Sequence, residues 1–467
     1  DAGRMKFGGA AEPAVEPRIE NIEEMTIQTD QLDLNQGFGN SSMQINFITR
    51  RGTNAIHGRL YEDFRNSALN ANNWYNDYVG IPKNHLILNE FGGSVGGPIL
   101  KDKLFFFGTF AMSKRPGGTN TNEWVLNSAA QAGNFTYSGG TVNVLTLAGN
   151  CFSAGNCGPT PLPTTVNGRT AATLQAVNGI LQSGVLNPPS DPNFQNISWL
   201  WTNPETRYFP TVRVDFNPNA KARFNVAWNY TKTIDPTGIA PNLPGTAFAK
   251  TGAGNRFKSY TAALGFDYTL SPTMVNEFRG GFLYNGNFFA YNGVTPSPST
   301  QQIGWNFANL PYYYSNTAMN GTNIQVPTGS YYPVFNASDT LTWQHRAHTL
   351  NFGFSWWREQ NHYYNGVLGF PFVNLGLSGQ DPAINAFTNS ANSLPGASGT
   401  ELGEAQELYA VLAGRVSGIG GSYFYDQKSN SYCEGCVGAY NLDEVQKAWG
   451  LFVQDSYRIR PSLTLNY

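Results

Sequence analysis

Residues 349–356 read TLNFGFSW, an alternation of large apolar with small or polar side chains. Successive side chains of a β-strand point to opposite faces, so this period of two predicts a strand with one apolar face. The preceding segment alternates in the same way, and only a tight turn around Arg346 separates the two. We therefore expect an antiparallel hairpin with one apolar face, made of Phe335, Leu341, Trp343, Leu350, Phe352, Phe354 and Trp356.

The same alternation recurs along most of the chain. Strand candidates are 19–27, 43–49, 57–64, 88–99, 104–113, 206–217, 221–232, 256–270, 273–285, 335–345, 349–359, 415–425, 447–459 and 462–467. They are joined by short turns rich in Pro, Asn, Asp and Ser, and by long connections at 65–87, 114–205, 233–255, 286–334, 360–414 and 426–446. Strands of about ten residues with alternately short and long connections are typical of outer-membrane barrels. The expected fold class is all-β, an antiparallel transmembrane β-barrel with long extracellular loops.

Two long connections contain helix-like stretches, Ala171 to Leu181 and Glu404 to Leu412. On the strands, we expect Phe224, Val226, Trp228, Leu350, Phe352 and Phe354 to face lipid, and Asn225, Asn229, Asn351 and Ser355 to face the lumen. Aromatic residues near strand ends are candidates for the interfacial girdles of a barrel, although ordinary sheet aromatics have the same pattern: Tyr208, Tyr230, Tyr260, Tyr268, Tyr284, Trp343, Trp449 and Tyr457.

Composition agrees with a membrane barrel. Only 13% of the 467 residues are charged, 14% are aromatic and the net charge is −2, whereas soluble domains carry about 25% charged residues. This balance provides no basic surface for nucleic acid. No apolar run is long enough for a transmembrane helix, as expected where each strand turns half of its residues toward lipid.

The four cysteines form two local pairs, Cys151 with Cys157 and Cys433 with Cys436, each within a long connection. Local pairs in loops predict two disulfides in an oxidising compartment. The alternative for Cys433 and Cys436 is half of a zinc site, which the other pair would have to complete.

No catalytic, cofactor or metal residue is predicted. Gly92-Gly93-Ser94-Val95-Gly96 matches the G-x-S-x-G pattern of nucleophilic serines, but that motif requires a strand-to-helix turn and here continues as an alternating strand. We expect its glycines to let the strand pack close to material that fills the lumen. His345 and His348 flank a turn, where a solvated position is favoured over metal binding.

Several segments, in order, resemble TonB-dependent outer-membrane receptors of the Oar-like branch, which often carry a carboxypeptidase-regulatory-like domain. The segment 19–24 (IENIEE) and the segments 37–39 (GFG) and 44–54 (QINFITRRGTN) resemble the end of their plug domain. Residues 57–66, 91–99 (FGGSVGGPI) and 101–108 (KDKLFFFG) resemble the first barrel strands of these receptors. Residues 452–457 and 463–467 resemble a later strand pair of the same barrel.

This resemblance implies a plugged barrel of about 22 strands, of which the chain would supply about the first half. Residues 1–18 would be a linker, 19–54 the end of the plug and 55–467 the first part of the barrel. The chain starts at Asp1 without a signal region and ends at Tyr467 within an alternating segment, so we expect a fragment of a longer polypeptide.

The implied function is import of an extracellular ligand, a siderophore, carbohydrate or peptide, energised by the TonB complex acting through an N-terminal part outside this sequence. Outer-membrane lipid is the other expected partner. Two alternatives remain: a passive porin-like channel or surface adhesin on the same barrel, and a secreted β-rich carbohydrate-binding protein. Aromatic residues of the loops are candidates either for ligand stacking or for loop packing: Trp74, Tyr75, Tyr78, Tyr312, Tyr313, Tyr314, Tyr331 and Tyr332.

Overall fold

The structure, a computed structural model, describes residues 18–29, 43–79, 83, 85–181, 185–187, 191–236, 254–289, 302–305, 328–365, 372–420, 425–426, 430–432 and 440–467. Its strands are β1 (Ile22–Thr29), β2 (Met43–Thr49), β3 (His57–Asn66), β4 (His85–Leu100), β5 (Leu104–Arg115), β6 (Gly117–Leu126), β7 (Asn134–Tyr137), β8 (Gly140–Asn143), β9 (Val185–Asn187), β10 (Phe194–Thr202), β11 (Glu205–Tyr208), β12 (Thr211–Asn219), β13 (Ala222–Asp235), β14 (Asn255–Ser271), β15 (Met274–Phe289), β16 (Gln302–Trp305), β17 (Thr328–His345), β18 (His348–Asn365), β19 (Phe372–Leu375), β20 (Val416–Gly420), β21 (Tyr425–Asp426), β22 (Ser431–Tyr432), β23 (Tyr440–Arg460) and β24 (Leu463–Asn466). The α-helices are α1 (Trp74–Val79), α2 (Ser128–Gln131), α3 (Val144–Ser153), α4 (Gly168–Ile180) and α5 (Gly399–Ala413).

The main sheet is an antiparallel meander. Among the described residues, eleven strands pair one with the next in the order β3-β4-β5-β12-β13-β14-β15-β17-β18-β23-β24. Their registers pair Phe224 with Phe266, and Leu341 with Phe352, so apolar side chains form cross-strand rows on one face. The all-β antiparallel fold expected from the alternation is confirmed.

Connections alternate in length as predicted. From β4 onward the short turns are at 101–103, 220–221, 272–273, 346–347 and 461–462. Two of these turns have a residue with positive φ, Asp102 at 63° and Arg346 at 57°, a conformation that is uncommon outside glycine and is adopted mostly in turns. All of these turns lie at the same end of the meander, and the long connections lie at the other.

The strands differ from the predicted ones in two respects. Residues 206–217 form β11 and β12 rather than one strand, because Pro210 has no N–H for the ladder and interrupts it. The expected strand 415–425 is wrong as a barrel strand. Its part Val416–Gly420 is β20, which pairs with β19 in a separate three-stranded sheet.

The largest apolar core lies outside the meander, in two of its long connections. The connection 116–204 contributes β6 to β10 and helices α2 to α4, and 372–415 contributes β19 and α5. Their buried residues form a single cluster that includes Val125, Phe135, Val144, Val177, Ile197, Phe387, Leu408, Tyr409 and Leu412. We call this unit the loop domain. Helices were predicted at 171–181 and 404–412, and α4 and α5 confirm them. The packing of the two connections into one core was not predicted.

No helix in the described part of the chain is both long and apolar enough to cross a membrane.

Candidate functional site

The two faces of the meander are distinguished by residues 18–29 and 43–54, which pack against one of them. Asn21 ends a short 3-10 turn and is 5% exposed. Its Nδ2 donates to Thr211 Oγ1 at 2.7 Å, and its Oδ1 accepts from Thr109 Oγ1 at 2.6 Å. Thr211 and Thr109 are directly paired across β12 and β5, so one amide bridges two wall strands. The face that contacts Asn21 is called the inner face below.

The hydrogen bonds of Asn21 continue into the wall. Thr211 Oγ1 donates to Asn229 Oδ1 at 3.0 Å, and Asn229 Nδ2 donates to Thr261 Oγ1 at 3.3 Å. Odd-numbered residues of β13 and β14 therefore point to the inner face, and even-numbered residues point outward. Val226 and Phe354, 46% and 42% exposed, lie on the outward face, as the sequence predicts.

Charged side chains hold the inner segment on the wall at two places, near Arg18 and near Thr49. Arg18 forms an ion pair with Glu90 on β4, and its guanidinium lies 3.9 Å from the ring centre of Phe209. Arg213 is held by Asp215 at 2.8 Å and donates to the carbonyl oxygen of Thr49. Since Thr49 ends β2, the strand pair β1–β2 is anchored at its last residue. The docking surface is thus polar and charged rather than apolar.

The chain leaves the inner face through a tight passage at Gly52. A Cβ at Gly52 would lie 2.3 Å from the carbonyl oxygen of Phe106 and 2.8 Å from that of Gly97, so only glycine fits without displacing backbone. Two residues later, Asn54 Nδ2 donates to Asp102 Oδ1 at 2.6 Å, and Asp102 N donates to Asn54 Oδ1 at 2.9 Å. This reciprocal pair joins the exit to the β4–β5 turn.

The glycines of β4 do not serve the purpose expected of them. A Cβ at Gly92 would lie 2.7 Å from the carbonyl oxygen of Phe110 on β5 and 2.9 Å from the Tyr61 ring, and one at Gly93 would meet Leu60 at 2.6 Å. A Cβ at Gly97 would meet Ile56 at 3.0 Å. The atoms nearest to these three positions belong to the wall strand β5 and to the adjacent segment 56–61, so the expectation that these glycines make room for plug backbone is wrong for these three positions. Ser94 lies within β4, and β4 continues to Leu100 and turns into β5.

The loop domain is joined by hydrogen bonds between its two connections. Tyr409 Oη donates to the carbonyl oxygen of Pro163 at 3.1 Å, and the backbone N–H of Ser138 donates to Glu401 Oε1 at 2.7 Å. Glu401 also belongs to a capping box with Ser398 at the start of α5. These N–H donors lower the pKa of Glu401 to about 2. Burial raises the pKa of Glu123 to about 7. Burial, with Asp191 and Glu401 nearby, raises that of Glu404 to about 7.

The predicted cysteine pairs are only partly within the described residues. Cys151, in α3, is bonded to Cys157, which is fully buried in the loop domain. Cys433 and Cys436 lie outside the described residues. Among the residues that the structure describes, no group of three or more His, Cys, Asp or Glu side chains could hold a metal ion.

The histidines at the β17–β18 turn have separate surroundings. His348 Nδ1 is 2.7 Å from Asp455 Oδ2, and its ring stacks on Tyr457 at 4.3 Å. His345 lies against Trp343, at 5.1 Å between ring centres. The turn therefore places each imidazole in an aromatic contact.

The aromatic residues predicted either as ligand contacts or as loop-packing residues have different surroundings in the structure. Trp74 and Tyr78 stack on each other at 5.5 Å and are both highly exposed. Tyr331 and Tyr332 belong to β17, where Tyr332 is buried. The side chain of Tyr75 and residues Tyr312, Tyr313 and Tyr314 lie outside the described part.

Sequence reasoning did not identify Asn21, Thr109, Thr211 or Arg18 as site residues, because a single Asn or Thr in a polar stretch carries no distinctive pattern. The loop domain had a signal. Ser398 and Glu401 have the spacing of a capping box ahead of an apolar helix, which marks an ordered element rather than a loop.

Comparison with known proteins gives a family match over nearly the whole chain. The model of the outer membrane beta barrel domain matches residues 48–467. The TonB-dependent transporter Oar of Myxococcus xanthus is 40% identical over 73 residues, which is 15% of this chain and 7% of that protein. The chain thus matches only a small part of that relative's length.

Solved structures that this chain matches include a transporter and a receptor. The outer membrane transporter YddB of Escherichia coli is 8% identical, with a TM-score of 0.46 over 97% of this chain and 44% of that one. A mutant ferric enterobactin receptor of Pseudomonas aeruginosa, in complex with enterobactin, is 10% identical, with a TM-score of 0.42 over 96% of this chain and 44% of that one.

Proposed function

The chain belongs to the outer membrane β-barrel domain family, and from that premise we propose that it is part of a gated importer energised by TonB. In this proposal residues 55–467 contribute barrel wall and extracellular loops, and residues 19–54 contribute the end of a plug. The linker expected at 1–18 lies outside the described residues except for Arg18. The observation that carries the proposal is the docking of segment 18–54 on the inner face through Asn21.

The chemistry of this docking suits a part that must be released. Each neutral hydrogen bond of the Asn21 network contributes only about 0.5–1.5 kcal/mol, because water replaces it when the contact opens. The ion pair of Glu20 with Arg59 on β3 is partly exposed, and such pairs contribute roughly 0–1 kcal/mol. A polar interface of this kind fixes the position of the segment and still separates under a mechanical pull, whereas a large apolar one would resist hydration.

The proposed energy source comes from similarity. The 40% identity to a TonB-dependent transporter supports TonB as the energy source. The loop domain, at the end of the long connections, provides a rigid extracellular surface for capture of a siderophore, carbohydrate or peptide. A passive porin-like channel or a surface adhesin on the same barrel is the competing function, and it requires no plug.

Conductance separates these functions. In planar bilayers, the full-length protein that carries this chain should conduct poorly, and deletion of its plug should open a large pore. An Asn21→Ala variant should show more frequent openings than wild type, because Thr211 and Thr109 lose their shared partner. The matched control is Asn351→Ala, a residue of the inner face of β18, several strands away from the contacts of Asn21. Large spontaneous conductance of the intact protein would instead establish the passive channel.

The TonB requirement is tested in cells. Uptake of a panel of fluorescent siderophores, oligosaccharides and peptides is compared between strains with and without TonB. At least one probe should enter only in the strain with TonB. If every probe that depends on this protein enters equally well without TonB, energised import is excluded.

A further inference from the structure

The inner face of the meander carries a row of hydrogen-bonding side chains, one on each strand, just beyond the Asn21 network. The row crosses β13, β14, β15, β17, β18 and β23 at one level of the sheet register: Thr231, Ser259, Asn285, Tyr332, Asn361 and Glu444. It begins two residues after Asn229, on the same face and nearer to the long connections. We call it the upper row.

Two buried polar atoms of this part of the wall lack a partner in the described protein. Asn361 is 7% exposed, and its Nδ2 donates to Glu444 Oε2 at 3.4 Å while its Oδ1 accepts no hydrogen bond. Trp357, on the same strand and face, is 9% exposed, and its Nε1–H donates to no acceptor. Buried polar groups are normally hydrogen-bonded, because an unpaired one loses its contacts with water without compensation. A bound molecule can therefore satisfy one acceptor and one donor of the inner wall.

This part of the inner face is free of positive charge within the described residues. From the level of Asn229 to the long connections, the inward-facing positions of the same six strands include no Lys or Arg. Asp235, Glu359 and Glu444 are acidic positions of this face. Because bringing like charges together costs free energy, an anionic ligand such as a ferric catecholate siderophore is disfavoured here.

The side chains of the upper row are chemically matched to sugar hydroxyls. Ser, Thr, Tyr and Asn can each donate and accept hydrogen bonds, and every sugar hydroxyl can do the same. Neighbouring strands are about 4.7–4.9 Å apart, close to the length of one sugar ring, so successive rings meet successive strands. Tyr332 and Tyr363 occupy positions next to Asn361 and provide aromatic faces for the C–H face of a ring.

A peptide fits this wall less well. Peptides that bind to sheets usually pair their backbone with an open strand edge. Strands β13, β14, β15, β17 and β18 are each paired on both sides, so they offer only side chains to the lumen.

We propose that the upper row and Trp357 bind a neutral oligosaccharide lying across the strands, an inference that rests on the proposed import function and narrows its ligand to a carbohydrate. Asn361 Oδ1 accepts a hydrogen bond from one sugar hydroxyl, and Trp357 Nε1 donates to another. The two residues are four positions, or about 13 Å, apart along β18, a span that requires several sugar units. The ligand then lies on the wall directly beyond the contacts of Asn21.

The experiment measures binding of the full-length protein to an array of neutral and acidic glycans and, separately, to ferric enterobactin. At least one neutral glycan should bind, and that glycan becomes the probe for variants. Asn361→Ala should weaken its binding about three- to tenfold, because one hydrogen-bonding side chain is lost. The matched control is Asn351→Ala, on the same strand and face but near the short turn, and it should leave binding unchanged.

A conservative variant covers the case in which Asn361→Ala does not fold. Trp357→Phe retains an aromatic ring, removes only the N–H donor and should weaken binding about threefold. The inference is overturned if no neutral glycan binds, or if both variants bind the probe like wild type.

Uptake distinguishes this inference from the function on which it rests. If the bound glycan enters cells equally well with and without TonB, energised import is refuted and the ligand class stands. If ferric enterobactin enters only with TonB and no neutral glycan binds, the ligand class is refuted and energised import stands.

Discussion

The hydroxyl of Thr170 donates a hydrogen bond of 2.8 Å to the carbonyl oxygen of Val411 and joins residues 241 positions apart. Thr170 is in α4, within the connection that leaves β5, and Val411 is in α5, within the connection that leaves β18. In the sheet order five strands, β12, β13, β14, β15 and β17, separate β5 from β18. The loop domain therefore bridges two distant points on one rim of the wall.

This bridge predicts that the two connections unfold together. Leu408 is 2% exposed in the shared core, and a Leu408→Ala substitution should destabilise the loop domain by about 2–5 kcal/mol. Hydrogen exchange in the intact protein should then increase in peptides from both 125–180 and 383–413. Ile419→Ala, at a position 75% exposed, is the control and should change little. Faster exchange confined to 383–413 would show that the connections are independent.

Three glutamates predict the pH dependence of the loop domain. The raised pKa of Glu123 and Glu404, about 7, means that the folded state retains protons that the unfolded state has released above pH 4.5. Stability should therefore fall as the pH rises from about 4.5 through 7. The lowered pKa of Glu401 acts in the opposite sense, and its contribution is lost as the pH falls from 4.5 toward 2.

Thermal unfolding followed by intrinsic fluorescence at pH 5 and pH 8 tests this dependence. A Glu123→Gln/Glu404→Gln variant should lose much of the wild-type difference between the two pH values, because neither amide titrates. An unchanged difference in that variant would assign the dependence to other groups.

The outward face predicts a strong penalty for charge. Phe352 is 38% exposed and is paired with Leu341 and Val453 on the neighbouring strands. Phe352→Arg should cost about 2–4 kcal/mol near the bilayer midplane, measured by denaturant unfolding in lipid vesicles. Asn351→Arg, next in sequence but on the inner face, should cost clearly less. Equal costs would mean that Phe352 does not face lipid.

The pairing of the four cysteines in two disulfides is a prediction that chemical analysis can test. Thiol titration under denaturing, non-reducing conditions should find no free thiol. The disulfides Cys151–Cys157 and Cys433–Cys436 would each close a short loop and stabilise the folded state by roughly 2–3 kcal/mol. Metal analysis should find no zinc. Free thiols from Cys433 and Cys436, or one zinc ion per chain, would support the alternative site.

The sequence by itself determined the meander, its short turns and its two faces. A period of two is visible within any one strand, such as 349–356, because the environment of each side chain depends only on its parity. Turn residues such as Asp102 and Arg346 act locally as well. The helices α4 and α5 were recognisable for the same reason, since a helical pattern needs no distant partner.

Tertiary structure alone decided what the long connections and the inner segment contact. Thr170 and Val411 meet because the sheet fixes the places where their connections emerge, and neither residue carries a local mark of the other. Asn21 gains its importance from Thr109 and Thr211, which register brings together across β5 and β12. The upper row, from Thr231 to Glu444, likewise exists only in the paired strands. Contacts between residues far apart in the chain depend on the geometry of the whole sheet, and a local pattern cannot encode them.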